Sequence, residues 1–336
     1  MLRVLIIGAG FMGQTHASIY NSMDEVELVG IVDKDKEKGE KFAKEYNCLY
    51  SQDLLDTFNL KTVDFVDICL PTFLHEEYII KASEYVKYII CEKPITLSMS
   101  SLENIFQVLE KNNTKLYLGQ VLRFWEEYIN AKSIYETGLL GKLRYIEADR
   151  LSEPPSWSLW YKKADKSGGG LFDLHLHDID FLVYLFGKPV TVYANGIKDE
   201  NDAWNFVNTS MTFSENLIAS IHGVISMSEN YPFTMKLCMV GDDASYEYEM
   251  KAGKNLENRE SAIRCSSVYS KNGIEEIVTY GVDAYQSELK HFVECINEDR
   301  DSEIVSLKSI KNTMQVMEAI KESLETGRIV ALGDSI

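Results

Sequence analysis

The chain has 336 residues, 45% of them hydrophobic and 26% charged, and a formal net charge of −18. At roughly 100–200 residues per domain this length holds about two domains, each able to bury its own core. The acidity, without any basic run, argues against a nucleic-acid partner, and no stretch approaches the ~20 apolar residues of a bilayer span.

The opening MLRVLIIGAG is too short and wrongly flanked for a secretory leader and reads as a buried strand. Beyond it, VELVGIVD, TVDFVDICLP, VKYIICEKP and TKLYLGQ read as further strands. Helix-length segments separate them at Phe11–Met23, Lys34–Tyr46, Leu74–Glu84 and Ser98–Lys111. Such alternation predicts a doubly wound α/β domain with a parallel sheet covered on both faces. Near residue 121 the grammar changes. A helix at Glu126–Thr137 and the strand KLRYIEAD lead into the aromatic loop EPPSWSLWYKKADKSGGG. A helix at Asp173–Phe186 follows, then TVYANGI, FVNTSMTF, LIASIHGVIS, FTMKLCMVG, ASYEYEM, SAIRCSSVYS and IEEIVTY. These predict a large, mainly antiparallel open sheet in an α+β domain, closed by helices at Ala284–Glu298 and Ser306–Glu325. The expected domains are therefore 1–121 and 122–336. The cysteines, at 48, 69, 91, 238, 265 and 295, form no CxxC pair. Reduced thiols in a cytosol, and no zinc site, are expected.

Three constellations carry chemistry. Gly8-Ala9-Gly10-Phe11-Met12-Gly13 is a GxGxxG that follows a strand and opens a helix. The first glycine permits the turn, the second lets backbone approach a pyrophosphate, and the third packs helix on strand. Free N–H groups at the helix start would face the anion. Asp33, at the end of the next strand, is placed to accept from ribose hydroxyls and to repel an extra phosphate, with Lys34 beside it softening that preference. This predicts NAD rather than NADP. The turn Leu70-Pro71-Thr72 with His75 is a second cofactor element at the same sheet edge.

Glu92-Lys93-Pro94 ends the strand KYIIC and would set Lys93 beside the nicotinamide. A lysine there exchanges protons near neutral pH once burial or positive neighbours lower its pKa. In Gly168-Gly169-Gly170 the backbone is expected to approach a ligand closely. Asp173 and His177, four apart, share a helix face that Asp180 and Tyr184 continue. His177 would take the hydroxyl proton, and Asp173 would orient the ring or bind the hydroxyl. A metal at Asp173, His175, His177 and Asp178 is disfavoured, because positions i and i+2 do not face one point. His175 is expected to be structural, and His16, His222 and His291 show no comparable constellation. Arg123, Arg150, Lys162 and Lys163 would together suit an acidic sugar.

In this order GAGFMG, Asp33, LPTxxH, EKP, Arg123 and SGGGLFDLHLHDID resemble the Gfo/Idh/MocA oxidoreductases, which include glucose–fructose oxidoreductase and inositol 2-dehydrogenase. The resemblance covers nearly the whole chain. It implies a Rossmann domain followed by an α/β domain whose open sheet mediates homodimers or homotetramers. It implies Lys93, Asp173 and His177 as the catalytic set, with Glu92 and His75 lining the nicotinamide. It further implies Arg123, Trp157, Trp160 and Tyr161 around a sugar, cyclitol or related polyol. The expectation is thus a cytoplasmic NAD-dependent dehydrogenase acting on CH–OH groups. Two alternatives are an enzyme that retains NAD and uses transient oxidation, and a non-catalytic NAD-binding regulator.

Overall fold

The computed structural model describes residues 1–155, 160, 163–253 and 262–333. It divides into two compact units, Met1–Val121 with Asp283–Ile310, and Leu122–Val282 with Lys311–Ile336. The chain first passes from one unit to the other after Val121. The return of Asp283–Ile310 to the first unit is a correction: an amphipathic helix carries no local mark of which core it will cover.

In the first unit the strands are β1 (Leu2–Ile7), β2 (Val26–Val32), β3 (Leu49–Ser51), β4 (Phe65–Ile68), β5 (Tyr88–Cys91) and β6 (Lys115–Leu118). The helices are α1 (Phe11–Tyr20), α2 (Lys36–Tyr46), α3 (Leu54–Leu60), α4 (His75–Ser83) and α5 (Met99–Asn112). All six strands are parallel, in the order β3-β2-β1-β4-β5-β6. Val4 to Ile7, Phe65, Val66, Ile68 and Ile89 to Cys91 are essentially inaccessible, as expected of strands covered on both faces. The strand order reverses between β1 and β4, the switch point at which such sheets bind ligands. The short β3 and α3 were not foreseen, and α1 stops three residues before its expected end.

The second unit begins with α6 (Glu126–Glu136), β7 (Leu143–Leu151) and the short α7 (Ala164–Ser167). A π-helical turn, Leu171–His175, then runs into α8 (Leu176–Phe186). The strands β8 (Thr191–Lys198), β9 (Trp204–Thr212), β10 (Ile218–Val224), β11 (Phe233–Gly241), β12 (Ala244–Ala252), β13 (Ile263–Ser270) and β14 (Gly273–Glu276) follow. The chain closes with α9 (Ala284–Asn297, in the first unit), α10 (Leu307–Thr326) and β15 (Val330–Ala331). Nine strands form one sheet in the order β14-β13-β12-β11-β7-β10-β9-β8-β15. Among the described residues of this sheet only the β7–β10 pair is parallel. Along β12, Ala244, Tyr246, Tyr248, Met250 and Ala252 are buried while the residues between them are not. This period of two marks a sheet with one covered and one open face. The last predicted strand is shorter than expected: β14 takes in only Ile274–Glu276 of that stretch. Among the described residues no helix is long and apolar enough to cross a membrane.

Candidate active site

The parallel register of the first unit aligns four strand ends. Ile7 lies beside Val32 and Ile68, and Ile68 beside Cys91. The next residues continue the ladder: Gly8 N–H donates to Val32, Cys69 to Ile7, Glu92 to Ile68 and Gly119 to Cys91. Gly8, Asp33, Leu70 and Lys93, far apart in sequence, are thus carried to one edge of one sheet.

The glycine turn divides its work as the motif requires. Gly8 has φ +107°, and a Cβ there would sit 2.5 Å from the Cys69 carbonyl oxygen. A Cβ on Gly13 would lie 1.9 Å from the Gly8 oxygen, so helix and turn touch through backbone alone. A Cβ on Gly10 would meet nothing within 4 Å. The space beyond Gly10 is open, no side chain caps α1, and a dinucleotide phosphate fits that opening. Phe11 is exposed at the first helical position, with Met12 half-buried behind it. Asp33 Oδ2 accepts the Ala9 N–H at 2.7 Å and Oδ1 accepts the Asp35 N–H at 2.8 Å. The carboxylate therefore braces the glycine turn while each oxygen keeps a lone pair for a ribose hydroxyl. Lys34 is exposed beside it.

The second turn is built around His75. Leu70 and Pro71 lead into a 3₁₀ turn at Thr72–Leu74, with Thr72 buried. His75 is wholly buried, with Nδ1 2.8 Å from the Pro94 oxygen and Nε2 2.7 Å from the Leu70 oxygen. Burial holds its pKa below the ordinary histidine value, against the pull of the two carbonyls. Instead of lining an open nicotinamide pocket, His75 lies between the Leu70 turn and the Lys93-Pro94 turn, whose peptide bond is cis, and as a neutral ring it donates to one of the two carbonyls. Glu92 is buried too, and its Oε2 accepts the Lys93 N–H at 3.1 Å. Lys93 is half-buried at the strand edge.

The helix of the second unit departs from its expected form. Its first turn, containing Asp173, is π-helical, an insertion that recurs at functional sites. From Leu171 to Val183 all residues but Asp173 and His177 are buried, so these two share an outlet to the surface. Their neighbours are spoken for. Asp180 receives a fork from Arg123, Nε at 2.9 Å and Nη2 at 2.7 Å, and a third bond from Thr313 at 2.8 Å. Arg123 also lies 4.6 Å from the Tyr184 ring centroid. Asp178 receives the matching fork from Arg150, at 2.8 and 2.9 Å, and a bond from Tyr128 at 3.2 Å. Burial opposes the charge on Arg150, but Asp178 raises its pKa further.

Two expectations are corrected here. Arg123 and Arg150 are internal ion pairs rather than cations free for an acidic sugar, because each is buried and neutralised by a carboxylate of α8. The triple glycine approaches the protein itself. A Cβ on Gly169 would lie 2.8 Å from that of Ala203, and one on Gly170 would lie 2.9 Å from Ile225. Asn205 also accepts the Gly170 N–H at 3.0 Å. His175 is buried on Thr209 at 2.8 Å, and burial brings its pKa down to about 3. Of the four residues weighed for a metal, His175 faces Thr209 and Asp178 faces Arg150. Trp160 is half-buried, whereas Trp157, Tyr161 and Lys162 lie outside the described residues.

Sequence reasoning missed His16. Its Nδ1 lies 2.8 Å from Asp67 Oδ2 and its Nε2 lies 3.2 Å from Glu92 Oε1. The signal was present: Asp67 is a charge inside a buried parallel strand, and such a charge requires a partner.

The model of an oxidoreductase family with an NAD-binding Rossmann fold, GFO/IDH/MocA, matches residues 2–120, and that of the GFO/IDH/MocA C-terminal domain matches residues 128–247. A 2,7-anhydro-N-acetylneuraminate hydratase of Mediterraneibacter gnavus is 29% identical over 64% of this chain and 59% of its own length. The chain spans less than three-fifths of the length of this and the other curated relatives it first matches. The scyllo-inositol 2-dehydrogenase (NAD(+)) of Bacillus subtilis is 26% identical over 98% of this chain and 96% of its own. The structure of an aldose-aldose oxidoreductase from Caulobacter crescentus superposes with a TM-score of 0.85 at 22% identity, covering 98% of this chain and 99% of that one. This last likeness concerns the fold.

Proposed function

Because the chain belongs to the GFO/IDH/MocA oxidoreductase family, we propose that it is an NAD-dependent dehydrogenase of a sugar, cyclitol or related polyol. The observation that carries the reading is the glycine turn with open space beyond Gly10 and the Asp33 carboxylate braced on Ala9, a cradle for a dinucleotide without a ribose phosphate. Bound NAD supplies the hydride acceptor. The chain supplies the rest: Lys93 holds the reacting hydroxyl, Asp173 orients it, and His177 removes its proton. Neither carboxylate next to His177 in the HDID run competes for that proton, since Asp178 and Asp180 are held by arginines. Full-length relatives named as inositol dehydrogenases support the substrate class. In the same reading the chain acts in the cytoplasm as a homodimer or homotetramer. The open face of the nine-stranded sheet, where Tyr145, Tyr193, Phe206 and Ile218 are exposed, supports that assembly.

The test mixes the purified protein with NAD or NADP and a panel of cyclitols, hexoses, amino sugars and sugar acids. Appearance of reduced cofactor is followed, with Lys93→Ala and His177→Ala alongside. Turnover with NAD that both substitutions abolish is the expected result. Failure of the protein to bind any nicotinamide nucleotide would overturn the reading.

A further inference from the structure

Four ionisable side chains without a part in the proposed chemistry lie buried behind the Glu92-Lys93-Pro94 turn. His16 on α1, Asp67 on β4, Glu92 after β5 and Glu288 on α9 are all less than a tenth exposed. Burying three carboxyl groups together is expensive unless their charges are balanced. An apolar cluster would pack this space at lower cost, so the arrangement calls for a reason.

The contacts form a chain that ends at Lys93. Asp67 Oδ2 holds His16 Nδ1 at 2.8 Å and accepts the Tyr20 hydroxyl at 2.8 Å. On its other side His16 Nε2 faces Glu92 Oε1 at 3.2 Å, within ion-pair reach though poorly aligned for a hydrogen bond. The other oxygen of Glu92 accepts the backbone N–H of Lys93. Burial opposes a charge on His16, yet the ring stays well above the ordinary histidine value. Cys69, 3.4 Å from Nδ1, is itself pushed up to about 12 by burial and is a thiol at neutral pH. The Asp67 carboxylate is therefore what keeps the imidazolium. Burial and the nearby Glu92 charge push Glu288 well above the usual carboxylate range, so it sits there as a neutral acid. Cys91, also buried beside Glu92, is likewise held as a thiol. The cluster thus sets the imidazolium between the Asp67 and Glu92 carboxyl groups, and Glu92 is the member that reaches Lys93.

We propose that His16 is a positioning residue for Lys93: anchored by Asp67, it fixes Glu92, and Glu92 fixes the backbone and the local charge at Lys93. The functional weight of this inference rests on the reading of Lys93 as the lysine that acts on substrate. The structural claim can be tested without any substrate.

The protein is labelled by isotopic reductive methylation, and the Lys93 resonance is assigned by its loss in Lys93→Arg. Its titration is then followed by NMR in His16→Gln, Glu92→Gln, the double variant and Asp67→Asn, which alters neither Glu92 nor Lys93. Losing the imidazolium removes the contact that holds Glu92 Oε1, and with it the hold on the Lys93 backbone and on the charge beside it. The Lys93 midpoint is expected to fall by about half a pH unit or more in each single variant. The double variant should fall no further than either single one. An unchanged midpoint in Glu92→Gln and Asp67→Asn would overturn the proposal. If His16→Gln does not fold, those two variants decide it by the same criterion. Turnover retained in Lys93→Ala would instead sink the catalytic reading and leave the NMR result standing as a finding about the fold.

Discussion

Replacing Asp33 with alanine should convert a selective cofactor site into a tolerant one. The carboxylate takes two backbone donors, Ala9 N–H at 2.7 Å and Asp35 N–H at 2.8 Å, and has one lone pair per oxygen to spare. A charge-assisted bond to a ribose hydroxyl contributes about 1.5–3 kcal/mol, and losing it weakens NAD binding by about 10- to 100-fold. The glycine turn also loses its brace, but Asp33 is only half-buried and water replaces part of those two bonds. For NADP the sign reverses. Like charges about 4 Å apart at an effective dielectric near 20 repel by about 4 kcal/mol, an upper bound that salt and the exposed Lys34 reduce. Removing the carboxylate should therefore improve NADP binding by about tenfold or more as NAD binding falls. Titration of intrinsic fluorescence with each nucleotide, on both proteins, measures the ratio directly. Equal affinity of the unaltered protein for NAD and NADP would refute the reasoning, as would a ratio that Asp33→Ala leaves unchanged.

Gly13→Ala and Gly10→Ala should separate packing from binding. The first puts a methyl 1.9 Å from the Gly8 oxygen and should cost about 1–3 kcal/mol in urea unfolding, whereas the second meets nothing within 4 Å and should spare stability while weakening NAD binding. Asp178→Asn strands the buried Arg150 guanidinium and should destabilise by about 3–5 kcal/mol, with an apolar replacement of both partners recovering much of the loss. His175, held neutral by burial down to about 3, should make the fold acid-sensitive. The unfolded chain binds a proton below about pH 6.5 that the folded chain refuses, so stability should fall by about 1.4 kcal/mol per pH unit from there toward pH 3. Denaturant unfolding across that window should show a shallower fall for His175→Gln, and equal slopes would refute the assignment.

What the sequence discloses depends on whether the reason for a residue is local. Gly8, Gly10 and Gly13 are legible because a turn, an approach and a close packing each act within a few residues, and the structure shows a distinct neighbourhood for each. The triple glycine looked equally local and was not: its missing side chains make room for Ala203 and Ile225, so the reason for them lies tens of residues away. The run His177-Asp178-Ile179-Asp180 shows the same divide within four positions. Helical spacing puts Asp173 and His177 on one face. It cannot say that Asp178 and Asp180 are claimed by Arg150 and Arg123, because ion pairs across 28 and 57 residues leave no periodic trace. The short β3 and α3 escaped for a related reason, since three and seven residues are too few to express a period. His16 is the instructive case. Alone it reads as one more residue on the buried side of a helix, beside Ala17 and Tyr20. Read with Asp67, an anion in the middle of an otherwise apolar buried strand, it is the partner that strand requires. A charge where periodicity demands a hydrophobe is thus a nonlocal contact announced in advance, and here it leads from the core of the sheet to the lysine at its edge.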